Sequence, residues 1–230
     1  MDSGFRKTVK LLQVSDIHGS IRSTEVVGEK ARDVGADLVL VVGDITNFGT
    51  VQEAEGILTI IEEGAGTPVL FVPGNCDPPQ LLSYNPASEK IVNIHAKTHH
   101  LEGLVFIGIG GSLITPHRGT WIEFEEKEVE RILSGVVKEG LSKWILVSHN
   151  PPAGVDAGRA RAGLDLGSHV IRRLVERDKP LLVSCGHVHE ARSISYIGDT
   201  AIVNAGPAKD GYCAVIDIRQ DGVHPSLESL

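Results

Sequence analysis

Asp16 and His18 stand two residues apart at the end of the apolar run Val9–Val14, with Gly19 directly after them. Residues two apart in an extended chain project to the same side, so a carboxylate and an imidazole leave one strand edge together. A hard oxygen beside a borderline nitrogen suits one divalent cation. Gly19 lets the backbone turn away without crowding the ion. Alone, Asp-x-His is weak evidence, because such triplets arise by chance. Four more apolar runs end in the same manner: Gly43-Asp44, Gly74-Asn75, Ser148-His149 and Gly186-His187-Val188-His189. Any one of these could be a simple turn or a surface histidine. Together they put metal-binding side chains at five equivalent places, a set that could hold divalent cations.

The segments between them supply the positioning. Val27, Ala31 and Val34 recur at helical spacing before Gly35, and Val51, Ala54, Ile57, Leu58 and Ile61 line a second helical face. With Leu38–Val42 and Pro68–Val72 they form a β-α-β-α-β series, which predicts right-handed crossovers and a largely parallel sheet. Sites in such sheets form at the carboxyl ends of the strands, so the five segments should converge. Residues 78–103 read as loop with one short strand near Ile91, and Gly103–Gly111 as a strand. A loop spans 112–120, followed from Phe124 by a helix carrying Val129, Ile132, Leu133, Val136 and Val137. Lys143–Ser148 and Leu181–Cys185 are strand-like, separated by a loop at 153–167 and a helix at Val170, Ile171, Leu174 and Val175. Segments near 191–197, 200–204 and 212–218 predict an antiparallel meander closing a second sheet. With no repeat or linker, residues 1–230 read as one domain without a separate cap domain.

Composition narrows the partners. A net charge of −8 with no long basic run, and 4% aromatic residues, argue against a nucleic-acid partner. No apolar run is long enough to cross a bilayer, and Met1–Lys7 lacks the apolar centre of a signal peptide. Three widely spaced cysteines offer no disulfide framework, so a cytoplasmic location is expected. An acidic chain still binds an anionic substrate where cations supply positive charge locally.

In the combination and order of Asp16-x-His18, Gly43-Asp44, Gly74-Asn75, His149 and His187-x-His189, the chain resembles the calcineurin-like metallophosphoesterase family. Val203-Asn204-Ala205-Gly206-Pro207 is similar to the turn that closes such chains. The resemblance implies an α/β four-layer αββα sandwich, with two mixed β-sheets flanked by helices. It also implies a ligand assignment: Asp16, His18, Asp44 and His189 for one ion, and Asp44, Asn75, His149 and His187 for the other, with Asp44 bridging. Two divalent ions about 3.5–4 Å apart clamp the attacking and leaving oxygens of a phosphoryl group, and a water they share supplies hydroxide near neutral pH. Oxygen and nitrogen ligands without thiolate favour Mn, Fe, Co, Ni or Zn, with Mn the expected activator. The expected substrate is a small phosphate ester, with diesters preferred over monoesters because no large cap is inserted.

One residue departs from the pattern. Where many relatives carry a histidine that protonates the leaving group, this chain has Cys76, a poorer proton donor at neutral pH. Its ordinary role is a small apolar filler. Asp77 is the next candidate acid, or a brace for the ligand loop. Asn47, His117 and Arg118, together with Arg159 and Arg161, are candidate substrate contacts at the rim. His95, His99, His100, His169 and His224 read as surface residues. A non-catalytic scaffold of the same fold would have lost Asp and His positions, and here all are filled; a nuclease lacks the basic, aromatic surface it needs. A homo-oligomer through an apolar loop at Leu113 and Ile114 is a further expectation.

Overall fold

The computed structural model describes residues 8–115, 119–161 and 163–230. Strand and helix alternate as the apolar pattern requires: β1 (Thr8–Val14), α1 (Ile21–Asp33), β2 (Leu38–Val42), α2 (Val51–Ala65) and β3 (Val69–Val72). After β4 (Ile91–Asn93), β5 (Thr98–Leu101) and β6 (Leu104–Ile109) form a hairpin. Its two-residue turn uses positive φ at both Glu102 and Gly103 (51° and 76°), which matches strand twist. β7 (Ser112–Leu113) and β8 (Glu123–Phe124) make a small parallel pair, and α3 (Glu126–Val136), β9 (Trp144–Ser148), α4 (His169–Asp178) and β10 (Leu182–Cys185) follow. β11 (Ser193–Ile197), β12 (Thr200–Asn204), β13 (Tyr212–Arg219) and β14 (Gly222–Ser229) complete the described chain.

Alternation within the strands sets the layers. Val9 and Leu11 of β1 pack with Leu38, Leu40, Leu70, Phe106, Ile145 and Val147 between two sheets. Leu12 and Val14 point the other way, against Val27, Ala31, Leu58 and Ile61 of α1 and α2. On the far side, Ile107, Leu146 and Val183 meet Leu133, Ile171 and Val175 of α3 and α4. Each fully buried aliphatic side chain contributes about 1.5–3 kcal/mol, so three such cores fix a helix-sheet-sheet-helix sandwich. The first sheet runs β14-β13-β1-β2-β3-β4 and the second β11-β12-β10-β9-β6-β5. Both are mixed: β1 to β4 are mutually parallel, as are β6, β9, β10 and β12, with antiparallel strands at the margins. The four-layer αββα expectation is met.

Some expectations fail: β5 and β7 occupy residues read as loop, and the predicted meander does not form. β11 and β12 pair antiparallel in the second sheet, but β13 crosses to the first sheet and lies antiparallel to β1, opposing Leu12 with Val215. The meander is thereby broken. Ala214, Ile216 and Ile218 join the inter-sheet core while Cys213 and Val215 join the outer one, a two-sided burial that β1 offers.

On the outer face of the first sheet, α1 and α2 cross where Gly28 faces Gly64. A Cβ on Gly28 would lie 2.9 Å from the Gly64 Cα, so the crossing needs bare backbone.

Candidate metal centre

The parallel strands of both sheets deliver their carboxyl ends to one place. Asp16, His18, Asp44 and His187 all adopt left-handed backbone there, with φ of 56°, 49°, 48° and 69°. Each such non-glycine residue costs of order 1 kcal/mol or more, and strain of this kind collects at functional sites. The neighbouring loops hold it in place. Asp16 N donates to Gly43 O (3.0 Å), His18 N to Asp44 O (2.9 Å) and Gly19 N to Ile45 O (2.9 Å), so the chain after β1 rides on the chain after β2.

At the centre is Asp44, 2% exposed. Its Oδ2 lies 3.6 Å from His18 Nε2 and its Oδ1 3.6 Å from His149 Nε2. Each ring has a second donor beside it: His189 Nε2 is 3.2 Å from His18 Nε2, and Asn75 Oδ1 is 2.9 Å from His149 Nε2. Asp16 Oδ1 sits 3.2 Å from His189 Nε2. The His187 ring meets His149 edge-on with centroids 5.2 Å apart, and its backbone N donates to Asp16 Oδ2 at 3.2 Å. The seven residues anticipated from the five strand ends are thus brought together.

Electrostatics act on the donors in different directions. Burial alone would raise the Asp44 carboxyl, but the His149 and His18 rings and the Cys76 N–H hold it below the ordinary carboxylate range. Burial lowers the His187 pKa to about 4, leaving that ring neutral. For His149 burial works against charge, yet the Asp44 carboxylate outweighs it and pushes the ring up to about 9. The His149 Nδ1 lies 2.8 Å from the Val42 carbonyl, which takes its N–H and turns Nε2 toward Asp44 and Asn75. Asp16 is buried in the same cluster, and its partner His189 has its pKa raised by the contact between them.

These residues fit divalent cations. Asp16, His18 and His189 place one ligand atom each within 4.8 Å of one another, and so do Asp16, Asp44 and His149. Two buried carboxylates with imidazole and amide donors converging on them would repel or stand unsatisfied without positive charge between them.

Asp77 ties the floor together. Its Oδ2 accepts from Gly74 N (2.8 Å) and Ile45 N (3.1 Å), and its Oδ1 from Thr46 N (2.7 Å) and Thr46 Oγ1 (2.9 Å). Burial and the nearby Asp44 push its pKa to about 6. Both oxygens are therefore committed to the loops after β2 and β3. Close packing accounts for the glycines that precede the ligands: a Cβ on Gly43 would collide with the His149 ring, and one on Gly74 with Asp44. Cys76 is 8% exposed, its N donates to Asp44 Oδ1 (2.7 Å) and its thiol receives Asn75 Nδ2 at 3.6 Å. Burial, and after it Asp44, drive the thiol pKa well above its ordinary value.

The rim is mixed. Asn47 and Arg159 are exposed, and Arg161 lines a groove beside His189; His117 and Arg118 lie outside the described residues. His95 is a correction: it is 8% exposed, because its Nδ1 accepts from Gly110 N (2.9 Å) where the chain passes from the first sheet to the second. His100, His169 and His224 are exposed as expected, and His99 is half-buried. Sequence reasoning missed what holds the 186–189 loop. Asn204 Nδ2 donates to Ala157 O (3.1 Å) and Val188 O (3.0 Å), and its Oδ1 accepts from Gly206 N (2.9 Å). Gln13 Nε2, fully buried between the sheets, donates to Cys185 O (3.0 Å) and Val203 O (2.9 Å). The Asn204 motif was visible in the sequence; Gln13 carried only the faint signal of an amide inside an apolar strand.

A four-layer sandwich with carboxylate, amide and imidazole donors at the carboxyl ends of both sheets defines a metal-dependent phosphoesterase class. The calcineurin-like phosphoesterase model matches residues 9–191, and the chain belongs to that family. An uncharacterised protein of Methanocaldococcus jannaschii, MJ1162, is 36% identical over 205 residues, covering 87% of this chain and 89% of that protein. TT1561 of Thermus thermophilus superposes with a TM-score of 0.73 at 20% identity, over 95% of this chain and 98% of that one. A dimetal phosphatase from Danio rerio gives 0.61 at 10% identity, over 96% and 98%. The two structures share the fold. No described helix is long and apolar enough to cross a membrane.

Proposed function

We propose that the protein hydrolyses phosphate esters with two divalent cations, and takes diesters in preference to monoesters. Asp44 carries this reading: one of its oxygens faces His18 and the other His149, each at 3.6 Å, and a further donor stands beside each ring. One cation would be held by Asp16, His18, Asp44 and His189, and the other by Asp44, Asn75, His149 and His187. The mixed donor set suits Mn, Fe, Co, Ni or Zn, and manganese is the first to test. When bound, such a pair supplies charge neutralisation at phosphoryl oxygens and a water of lowered pKa.

The chain's own residues do the positioning. Val42 fixes the His149 tautomer, and Asp77 holds the loops after β2 and β3 at fixed separation. The Cys76 thiol, its pKa driven up by burial and Asp44, keeps its proton and gives the leaving group no help. The rate should therefore depend steeply on leaving-group pKa. Grooves open on two sides of His189, which leaves room for two ester arms.

The test is to strip the protein of metal and add back each divalent ion. Hydrolysis of bis-p-nitrophenyl phosphate is then assayed beside p-nitrophenyl phosphate. Hydrolysis should require the ion, favour the diester, and fall at least about a thousandfold in Asp44→Ala, since bound metals supply several kcal/mol of transition-state stabilisation. Ion-independent turnover, or activity surviving Asp44→Ala, overturns the reading. Across a series of phenyl phosphodiesters, Cys76→His should flatten the leaving-group slope, and an unchanged slope removes the role given to that position.

A further inference from the structure

His187 and His189 also line a cleft of about 580 Å³. Its remaining described surface is dominated by Leu113, Ile114, Leu164, Leu166 and Val188. Ile114 and Leu164 are 48% and 52% exposed, so they face the cleft rather than a core. The polar groups in the same wall are already engaged. Asn150 Oδ1 accepts from Leu113 N (3.1 Å), and its Nδ2 donates to Pro151 O (3.0 Å) and Leu166 O (3.2 Å). The Thr115 hydroxyl donates to Glu123 at 2.6 Å. Asp165 accepts from Gly154 N (2.6 Å) and Gly167 N (2.9 Å), and Glu190 brings a second carboxylate. Among the described residues, no lysine or arginine lines this cleft. Arg161 and Arg192 line a neighbouring groove of about 600 Å³, which shares His189 and Glu190 with this cleft, and Arg161 N donates to Glu190 at 3.2 Å.

We infer that the cleft formed by Leu113, Ile114, Leu164 and Leu166 receives one ester arm of the substrate, and that this arm is apolar and carries no negative charge. The inference rests on the phosphodiester reading above. A phosphoryl group seated at the metal centre has this cleft beside it, because His187 and His189 belong to both. Charge then decides the class of arm. An anionic arm would exchange water for two carboxylates with no lysine or arginine among the described lining residues, which is unfavourable. An alkyl or aryl arm gains by covering four aliphatic side chains. Specificity thus comes partly from exclusion.

The test is calorimetric binding to the manganese-reconstituted protein of methylphosphonate, hexylphosphonate and phosphonoacetate. Hexylphosphonate should bind roughly tenfold more tightly than methylphosphonate, given part of the burial value of five methylenes, and phosphonoacetate more weakly than either. Ile114→Asp combined with Leu164→Asp should bring hexylphosphonate to the methylphosphonate level. Both positions are exposed, and an unchanged melting temperature checks that the fold persists. Equal affinities in the wild type, or a gap that survives the double substitution, overturns the inference. In parallel, hexyl and methyl p-nitrophenyl phosphates share one leaving group and report turnover. A binding gap without turnover sinks the diesterase reading and leaves the apolar subsite standing; turnover without a binding gap does the reverse.

Discussion

The two sheets bring different chemistry to the same point. The first supplies Asp16, Asp44 and Asn75, every oxygen donor of the cluster, along with His18; the second supplies only the imidazoles of His149, His187 and His189. The carboxylates lie deep, with the Asp16 side chain 1% exposed, whereas that of His189 is 35% exposed at the edge of the cleft. The means of support differ too. Asp77 stitches the oxygen-bearing loops of the first sheet with four hydrogen bonds, while the 186–189 loop of the second depends on Asn204. The contrast teaches a division of labour: negative charge is fixed rigidly from beneath, and imidazole rings meet it from the side.

The largest effect should come from removing the first brace. Asp77→Ala leaves four buried donors unpaired and should destabilise the fold by about 3–5 kcal/mol, lowering the melting temperature by roughly 10 °C in a chain of this size. Asn204→Ala removes the second brace at about 2 kcal/mol. If the sheets support their halves independently, denaturation of the double variant should give the sum within about 0.5 kcal/mol. A coupling well beyond that would mean the cluster is a single braced unit and would end the comparison.

The smallest effect lies at the join between the sheets. Burial, reinforced by Lys97, lowers the His95 pKa from 6.5 to about 4. The unfolded chain therefore takes up the proton first. Stability from this residue is complete above pH 6.5 and is lost as pH falls toward 4, by about 2 kcal/mol after allowance for partial solvation. His95→Gln retains an acceptor for Gly110 but does not titrate, so its unfolding free energy should vary less between pH 7 and 4.5. An equal slope in both proteins would place the proton elsewhere.

What could be read in advance divides along similar lines. Continuous apolar runs ending in Gly-Asp, Gly-Asn or Gly-His showed both the parallel strands and the ligands at their ends, since burial on two faces leaves a plain sequence trace. The helix starting after Thr50 was equally legible from the helical spacing of Val51, Ala54, Ile57, Leu58 and Ile61, and Thr50 and Glu53 cap each other at its start. The destination of β13 was not, because periodicity marks a strand but does not choose its neighbour. β14 escaped notice altogether: it is an edge strand carrying Pro225 and alternating polar residues, which lowers any strand signal. His95 and Asn204 acquire their roles only from partners distant in the chain, Gly110 for one and Ala157 for the other.

The claim at the centre is that Asp44 joins donors from both sheets into one two-cation site. Counting tightly held manganese per chain in stripped and reconstituted protein, with Asp44→Ala alongside, tests it directly. Two ions in the wild type and at most one in the variant is the expected result. No bound ion in the wild type, or an undiminished pair without the Asp44 carboxylate, would contradict it.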